Sequence, residues 1–295
     1  MEKLISYIIV GLANGCIYSL VAIGFVIIYK SSGIINFSHG AIVLLSAYIF
    51  YLFSFQIGLP MAVAIVLTLA FGALLGFGIE RVLLDRLIGQ SVLMIITLTL
   101  AITELLRGVM HLGWGNDILS APPLFPKRNL DVLNMVTLDY SRVAFLILTF
   151  LLVVIFALLY NKTKIGLAMK ATSDDTVAAE SVGIKVRKVF AATWVISCVT
   201  AAIGGILVTN VMGIHFQVAE IGFKGMVVAL VGGMQSLPGM IVIGPLMGII
   251  EFLASGYLDD LVGGGMRDLA PFIILLLVLM VKPYGVFGWK RIERV

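Results

Sequence analysis

Residues 161–188 read NKTKIGLAMKATSDDTVAAESVGIKVRK, the longest polar run in the chain. A hydrophobic run of membrane-spanning length lies on each side, 141–160 before it and 189–212 after it. The segment holds six basic residues (Lys162, Lys164, Lys170, Lys185, Arg187 and Lys188) against three acids, Asp174, Asp175 and Glu180. Short loops rich in Lys and Arg stay on the cytoplasmic side of a membrane. The segment is therefore expected to be a cytoplasmic loop that orients a bundle of spanning helices.

Composition agrees. The 295 residues are 61% hydrophobic and only 12% charged, with a mean hydropathy of +1.13. A soluble domain carries about twice that charge. The net charge of +4 is no nucleic-acid footprint, because the positives gather in the central loop and in the tail (Lys282, Lys290, Arg291 and Arg294). Cys16 and Cys198 fall inside hydrophobic runs and read as buried small residues, not as a disulfide or metal framework. The first run, 4–29, is too long for a signal-peptide core of about 7–15 residues and reads as a retained helix.

A crossing helix needs roughly 20 apolar residues. Candidate runs are 4–29, 41–54, 60–80, 91–112, 141–160, 189–212, 224–254 and 267–282. Run 224–254 is too long for one crossing and too short for two. Gly232, Gly233, Ser236, Pro238 and Gly239 interrupt it, so two part-length helices meeting at a turn are expected. Non-helical backbone at membrane depth survives only where protein or a cavity shields it, and broken helices in transporters line substrate paths. The expected fold is an all-α integral membrane protein. It is one transmembrane domain over 1–295, a polytopic bundle of about 8–9 membrane segments with a broken or re-entrant segment near 224–254. Placing Arg81 and Arg86, the central loop and the tail together in the cytoplasm puts 113–140 outside, as a loop or short surface helix. Counting back places the N-terminus outside as well.

Thr172 to Gly183 reads as a short helix. Thr172 and Asp175 have capping-box spacing, Asp174 and Asp175 suit a helix N-terminus, and Gly183 suits the position past its end. From spacing alone this is either a solvated connector or a helix that docks in a groove of a soluble partner. Asn36, Ser38 and His39 open the short run 41–54. Ser38 or Asn36 is placed to cap it, and its N-terminus would favour an anion. His39 is either a substrate contact or an interhelical hydrogen bond; nothing around it has metal-ligand spacing. Thr97, Thr99, Glu104, Arg107 and His111 thread run 91–112, and Glu104 with Arg107 is either an interfacial ion pair or part of a path. Lys224 either snorkels or faces an acidic group of the substrate, and Glu251 is equally open.

Val177-Ala178-Ala179-Glu180-Ser181-Val182-Gly183 resembles the coupling loop of bacterial ATP-binding-cassette import permeases, a pattern of Glu-Ala-Ala, three residues, then Gly. Ala178, Ala179 and Gly183 match; Val177 replaces the glutamate, and the Leu-Pro that often follows is missing. Asn14-Gly15-Cys16-Ile17-Tyr18-Ser19-Leu20, Ile34-Ile35-Asn36-Phe37-Ser38-His39-Gly40 and Leu230 through Gly239 are similar to the branched-chain amino acid permeases, the smaller of that system's two permease types. The resemblance spans nearly the whole chain. It implies a transporter subunit of the inner or plasma membrane rather than an enzyme, coupled to its ATPase through Val177, Ala178, Ala179, Glu180, Ser181 and Gly183. It implies as partners a second related permease, two ATPase subunits that hold ATP and Mg, and an extracytoplasmic amino-acid-binding protein, with membrane lipid around them. No cofactor or metal is expected on this chain. Permeases for urea and short-chain amides look alike. The chain has no G-x-x-x-x-G-K-[ST], so any ATP must be hydrolysed elsewhere. A self-sufficient secondary transporter would need mid-membrane carboxylates, and only Glu104 and Glu251 offer themselves.

Overall fold

The computed structural model describes residues 2–87, 90–124, 129–132 and 136–288. The tail residues Lys290, Arg291 and Arg294, and Pro126 in segment 113–140, lie outside them. Among the described residues, six helices are long and apolar enough to cross a membrane: Lys3–Ser32, His39–Gln56, Met61–Leu87, Val92–Trp114, Val186–Val211 and Leu237–Val262. In chain order the helices are α1 (Glu2–Ser32), α2 (His39–Tyr51), α3 (Met61–Gly78), α4 (Val92–Trp114), α5 (Tyr140–Lys162), α6 (Lys164–Asp174), α7 (Thr176–Ser181), α8 (Val186–Val211), α9 (Glu220–Gly232), α10 (Leu237–Val262) and α11 (Met266–Val281). Short π-helical turns extend α2 through Gln56 and α3 through Leu84.

The helix α1 is the axis of the bundle. It packs against α8, α9, α10 and α5, and 78% of its apolar window is buried, against 28% for α3 and 22% for α4. The outer helices therefore offer apolar surface to lipid or to another subunit. Small residues let α1 and α10 touch backbone to backbone: a Cβ on Gly15 would lie 2.3 Å from the Gly244 carbonyl oxygen, and one on Gly11 2.6 Å from that of Gly248. In lipid, where hydrophobic burial gives helices no reason to associate, such close packing supplies the attraction. The two cysteines are buried within this packing, Cys16 on α1 and Cys198 on α8.

Three sequence expectations are modified. The break in run 224–254 falls where Gly233 takes φ +94 and the Ser236 hydroxyl accepts from Gly239 N–H at 3.1 Å. Only α9, at 13 residues, is part-length; α10 has 26. The apolar run stops near 254, but the Ser255 hydroxyl donates to Asp259 at 2.5 Å and Asp259 accepts Met266 N–H at 2.8 Å. These local bonds carry α10 through its polar last turns. Next, segment 113–140, expected as a loop or short surface helix, contains a strand pair. β1 (Asn129–Val132) runs antiparallel to β2 (Val136–Asp139), with Asn129 opposite Asp139; β-branched Val132, Val136 and Thr137 favour that geometry. Finally, the central loop forms two helices. Thr172 ends inside α6 with its hydroxyl on the Ala168 carbonyl, and Asp175 alone caps α7, accepting from Val177 and Ala178 N–H at 2.8 and 3.0 Å.

Basic residues collect at one end of the molecule. Lys30, at the end of α1, donates to the Gln235 carbonyl in the α9–α10 turn. Arg187, at the start of α8, pairs with Asp85 at 3.0 Å. The helices α6 and α7 sit at the same end. The opposite end carries the α2–α3 and α10–α11 turns and the strand pair.

Candidate functional site

Two helices begin inside the bundle rather than at its ends. After Ser32 the chain turns back in non-helical form, and α2 starts at His39 beside Gly24 of α1. Gly24 lies eight residues before the end of α1, so α2 begins about 12 Å inside that end. On the other side, Met212 to His215 leave the end of α8, form a bridge between Ile214 and Leu119, and lead through a 3-10 turn, Phe216–Ala219, into α9, whose Gly225 sits against Val21 of α1. The two N-termini face each other roughly midway through a core of about 30 Å. A Cβ on Gly222 would lie 2.4 Å from Gly40 Cα, and one on Gly40 2.4 Å from the Ala219 carbonyl oxygen. Neither helix has a side-chain cap.

Beside this crossing is a narrow crevice lined by Phe25, Phe37, Phe223, Met226, Thr103 and Arg107, along with Gly40, Ala41, Ala219 and Gly222. Its volume is about 10 Å³, room for about one water. Its walls are apolar, its floor is two positively polarised helix ends, and its edge carries a guanidinium. That combination favours a small carboxylate with an apolar substituent.

A second polar centre lies toward the α10–α11 end. Glu251 is fully buried, and its Oε1 accepts from Lys224 Nζ at 3.0 Å, Arg267 Nε at 3.1 Å and Tyr18 Oη at 3.1 Å. Lys224 also pairs with Asp268 at 2.9 Å. The cluster joins α1, α9, α10 and α11 and borders a cavity of about 380 Å³ that His215 and Glu220 also line. Two cations and two acids balance; Glu251 and Lys224 are the buried members, at 0% and 11% exposed, and their pairing makes that burial tolerable.

The third region is the basic end. Gly183 takes φ +86 just past α7, where its lack of Cβ permits the left-handed turn. Ala179 is 3% exposed, whereas Val177 and Val182 are 72% and 78% exposed; Ala178, Glu180 and Ser181 are exposed too. The six-residue α7 thus presents apolar and acidic side chains outward and rests on Ala179. Next to it, a cavity of about 220 Å³ is lined by Glu80, Thr176, Trp194 and the Ser32–Gly33 backbone turn.

The remaining sequence candidates scatter. Ser38 makes no cap; its N–H and hydroxyl both donate to Asn36 Oδ1, at 3.0 and 2.6 Å, closing the turn that leads into α2. His39 is completely buried on Gly24 and Phe25, with Nδ1 3.4 Å from the Ser197 hydroxyl. That hydroxyl donates to the Gly24 carbonyl, so His39 occupies an interhelical seat between α1 and α8. Thr97 is exposed and Thr99 buried, each bonded to its own helix. Glu104 is 72% exposed and 3.5 Å from Arg107. Of the turn residues, Gly232, Gly233 and Gly239 are buried, Ser236 is half-buried and Pro238 is exposed; the segment after α11 covers the start of the turn, donating Val286 N–H to the Val231 carbonyl at 2.7 Å and Phe287 N–H to that of Gly232. Tyr18, Arg267 and Asp268 escaped sequence reasoning. Arg267 and Asp268 open the last apolar run and read there as flanking charges; only the fold shows the buried acid they reach.

Residues 7–281 match the family model described as branched-chain amino acid transport system / permease component. The high-affinity branched-chain amino acid transport system permease protein BraD of Pseudomonas aeruginosa is 28% identical, over 97% of this chain and 96% of its own. Its counterpart LivH of Escherichia coli is 26% identical over the same shares. The solved structure described as PsaBC from Streptococcus pneumoniae in complex with Fab shares the fold, with a TM-score of 0.51 over 96% of this chain and 93% of that one at 11% identity.

Proposed function

Since this chain belongs to the branched-chain amino acid permease family, we propose that it is the membrane-spanning subunit of an ATP-driven importer that passes branched-chain amino acids by alternating access. The observation that carries the substrate route is the pair of helix starts, α2 and α9, meeting beside Val21 and Gly24 of α1, inside the bundle. Their polarised N–H groups and Arg107 suit a carboxylate, and Phe25, Phe37, Phe223 and Met226 suit an aliphatic side chain. The crevice is closed to anything larger than water, as a permease at rest between its two open states would be.

The same geometry supports nine crossings. Two of them are broken: a non-helical entry leads into α2 in one, and a non-helical entry followed by the 3-10 turn Phe216–Ala219 leads into α9 in the other. They run in opposite directions. With the basic end cytoplasmic, nine crossings put the N-terminus outside and the described end of α11 inside. Among the path candidates, Thr99, Glu104 and Lys224 lie on helices bordering the route, and Asn36 and Ser38 shape the turn before α2. Partner ATPases holding ATP and Mg, a second permease and an external binding protein complete this reading. The ATPase docks on the exposed face of α7, formed by Val177, Ala178, Glu180, Ser181, Val182 and Gly183, with Ala179 holding that helix to the bundle.

Reconstitution tests it. In liposomes containing the partner permease, ATPases and binding protein, leucine uptake is expected only with ATP; uptake by this chain alone without ATP would overturn the proposal. A permease that took urea or a short-chain amide instead would leave labelled leucine outside under the same conditions. Val182→Glu places a charge on the exposed face without touching the core. ATP-driven uptake is expected to fall about tenfold, the effect of roughly 1.4 kcal/mol at the docking surface, while membrane insertion stays normal. Ala179→Glu is a poorer probe, because its buried seat makes α7 itself come loose.

A further inference from the structure

At the basic end, Lys30 of α1 and Lys170 of α6 converge on one aromatic ring. Their ammonium nitrogens stand 4.1 Å and 4.9 Å from the centroid of Tyr160. Lys30 Nζ donates to the Gln235 carbonyl at 2.5 Å, and Lys170 Nζ to Asn161 Oδ1 at 3.0 Å. Among the described residues neither lysine is ion-paired. Both line a cavity of about 600 Å³ together with Tyr160, Ser173 and Asp174. Two lysines against one aspartate leave that cavity with a net charge of one positive. Like charges drawn to one ring, each with donors to spare, call for an anion between them.

We propose that Lys30 and Lys170, straddling Tyr160, form a site for the phosphodiester of an anionic phospholipid. Three features favour a lipid over a free ion. The site lies where α1 and α5 end, the depth at which Lys and Tyr meet headgroups. The α6 helix turns 74° away from α5, so it lies along the membrane surface when α5 crosses. It also exposes Ile165 and Leu167, 48% and 67% accessible, as a helix resting on acyl chains does. A phosphodiester carries the single negative charge that the cavity lacks. Bound there, the lipid ties α6, and through it α7, to the end of α1.

The test is native mass spectrometry of the full-length chain titrated with phosphatidylglycerol or phosphatidylcholine in detergent. Phosphatidylglycerol is expected to be retained and phosphatidylcholine not. At about fivefold per lysine near a membrane surface, the K30Q/K170Q variant should lose roughly 30-fold in affinity. K30R/K170R should keep it, and Lys188→Gln, in the same basic segment but away from the ring, should be unaffected. Should the double variant misfold, Tyr160→Leu removes the ring alone and is expected to weaken retention several-fold. Equal lipid retention in the folded double variant, equal loss in Lys188→Gln, or equal retention of phosphatidylcholine would overturn the proposal. Displacement by millimolar inorganic phosphate would assign the pair to a free anion, and displacement by the partner ATPase would assign it to that protein; either outcome also overturns it. No transport is measured, so failure here leaves the permease reading untouched.

Discussion

Glu251→Leu is expected to lower the unfolding temperature of the purified chain by several degrees and to abolish uptake. The substitution takes from Lys224, whose side chain is only 11% exposed, its buried partner and leaves it only the exposed Asp268, and it takes from Arg267 and Tyr18 the oxygen they share. Breaking a buried pair on one side costs about 3–5 kcal/mol. Arg267 is 45% exposed, and water recovers part of its share, so Lys224 dominates the loss. Removing both partners is a different matter. The Lys224→Met, Glu251→Leu double variant leaves no buried charge without a partner and is expected to recover most of the stability, a coupling that a double-mutant cycle reads directly. An unchanged unfolding temperature in Glu251→Leu would show that the cluster does not hold α1, α9, α10 and α11 together.

Gly222→Val is expected to insert normally yet lose at least 90% of transport. Its new Cβ would stand 2.4 Å from Gly40 Cα and 2.8 Å from Gly40 N. These are backbone atoms, which cannot rotate aside, so the two helix starts must separate. Overpacking of this kind costs about 1–3 kcal/mol, too little to unfold the bundle but enough to misplace the groups proposed to meet the carboxylate. Gly108→Ala on α4 is the control, because a Cβ there has open space and should change nothing. Uptake by the Gly222→Val liposomes at the rate of the unmodified chain would remove the helix crossing from the substrate route.

Some of this was legible in the chain. Apolar runs separated by basic loops gave a polytopic helical membrane protein, because lipid leaves the backbone few alternatives. The glycines, serine and proline at 232–239 marked the interruption, since those residues relax or forbid helical geometry wherever they stand. A short helix ending at Gly183 is visible in the sequence, although the spacing points to Thr172 as its cap with Asp175 as the capping-box partner, whereas Asp175 is the cap. Capping boxes are spacing patterns, and spacing does not say which of two adjoining helices a residue closes.

Other features were out of reach because they depend on where distant segments meet. His39 was open between a substrate contact and an interhelical hydrogen bond, because nothing local shows that Gly24, fifteen residues earlier, is the side-chain-free seat for its ring. Lys224 and Glu251 were undecided separately because each is defined by the other and by Arg267 and Asp268, which read as mere flanking charges. The second interrupted crossing was hidden for a similar reason. Residues 33–38 contain no proline, and only packing of Gly40 against Gly222 shows that α2 starts deep in the bundle.

By itself, then, the sequence determined the class of protein, the end that carries its basic residues and the place of one broken helix. These follow from local preferences of residues for lipid, water and backbone geometry. Tertiary structure alone decided which two helix starts oppose each other and which charges gather around the buried Glu251. Those facts are set by distances between residues far apart in the chain, which local preferences do not encode.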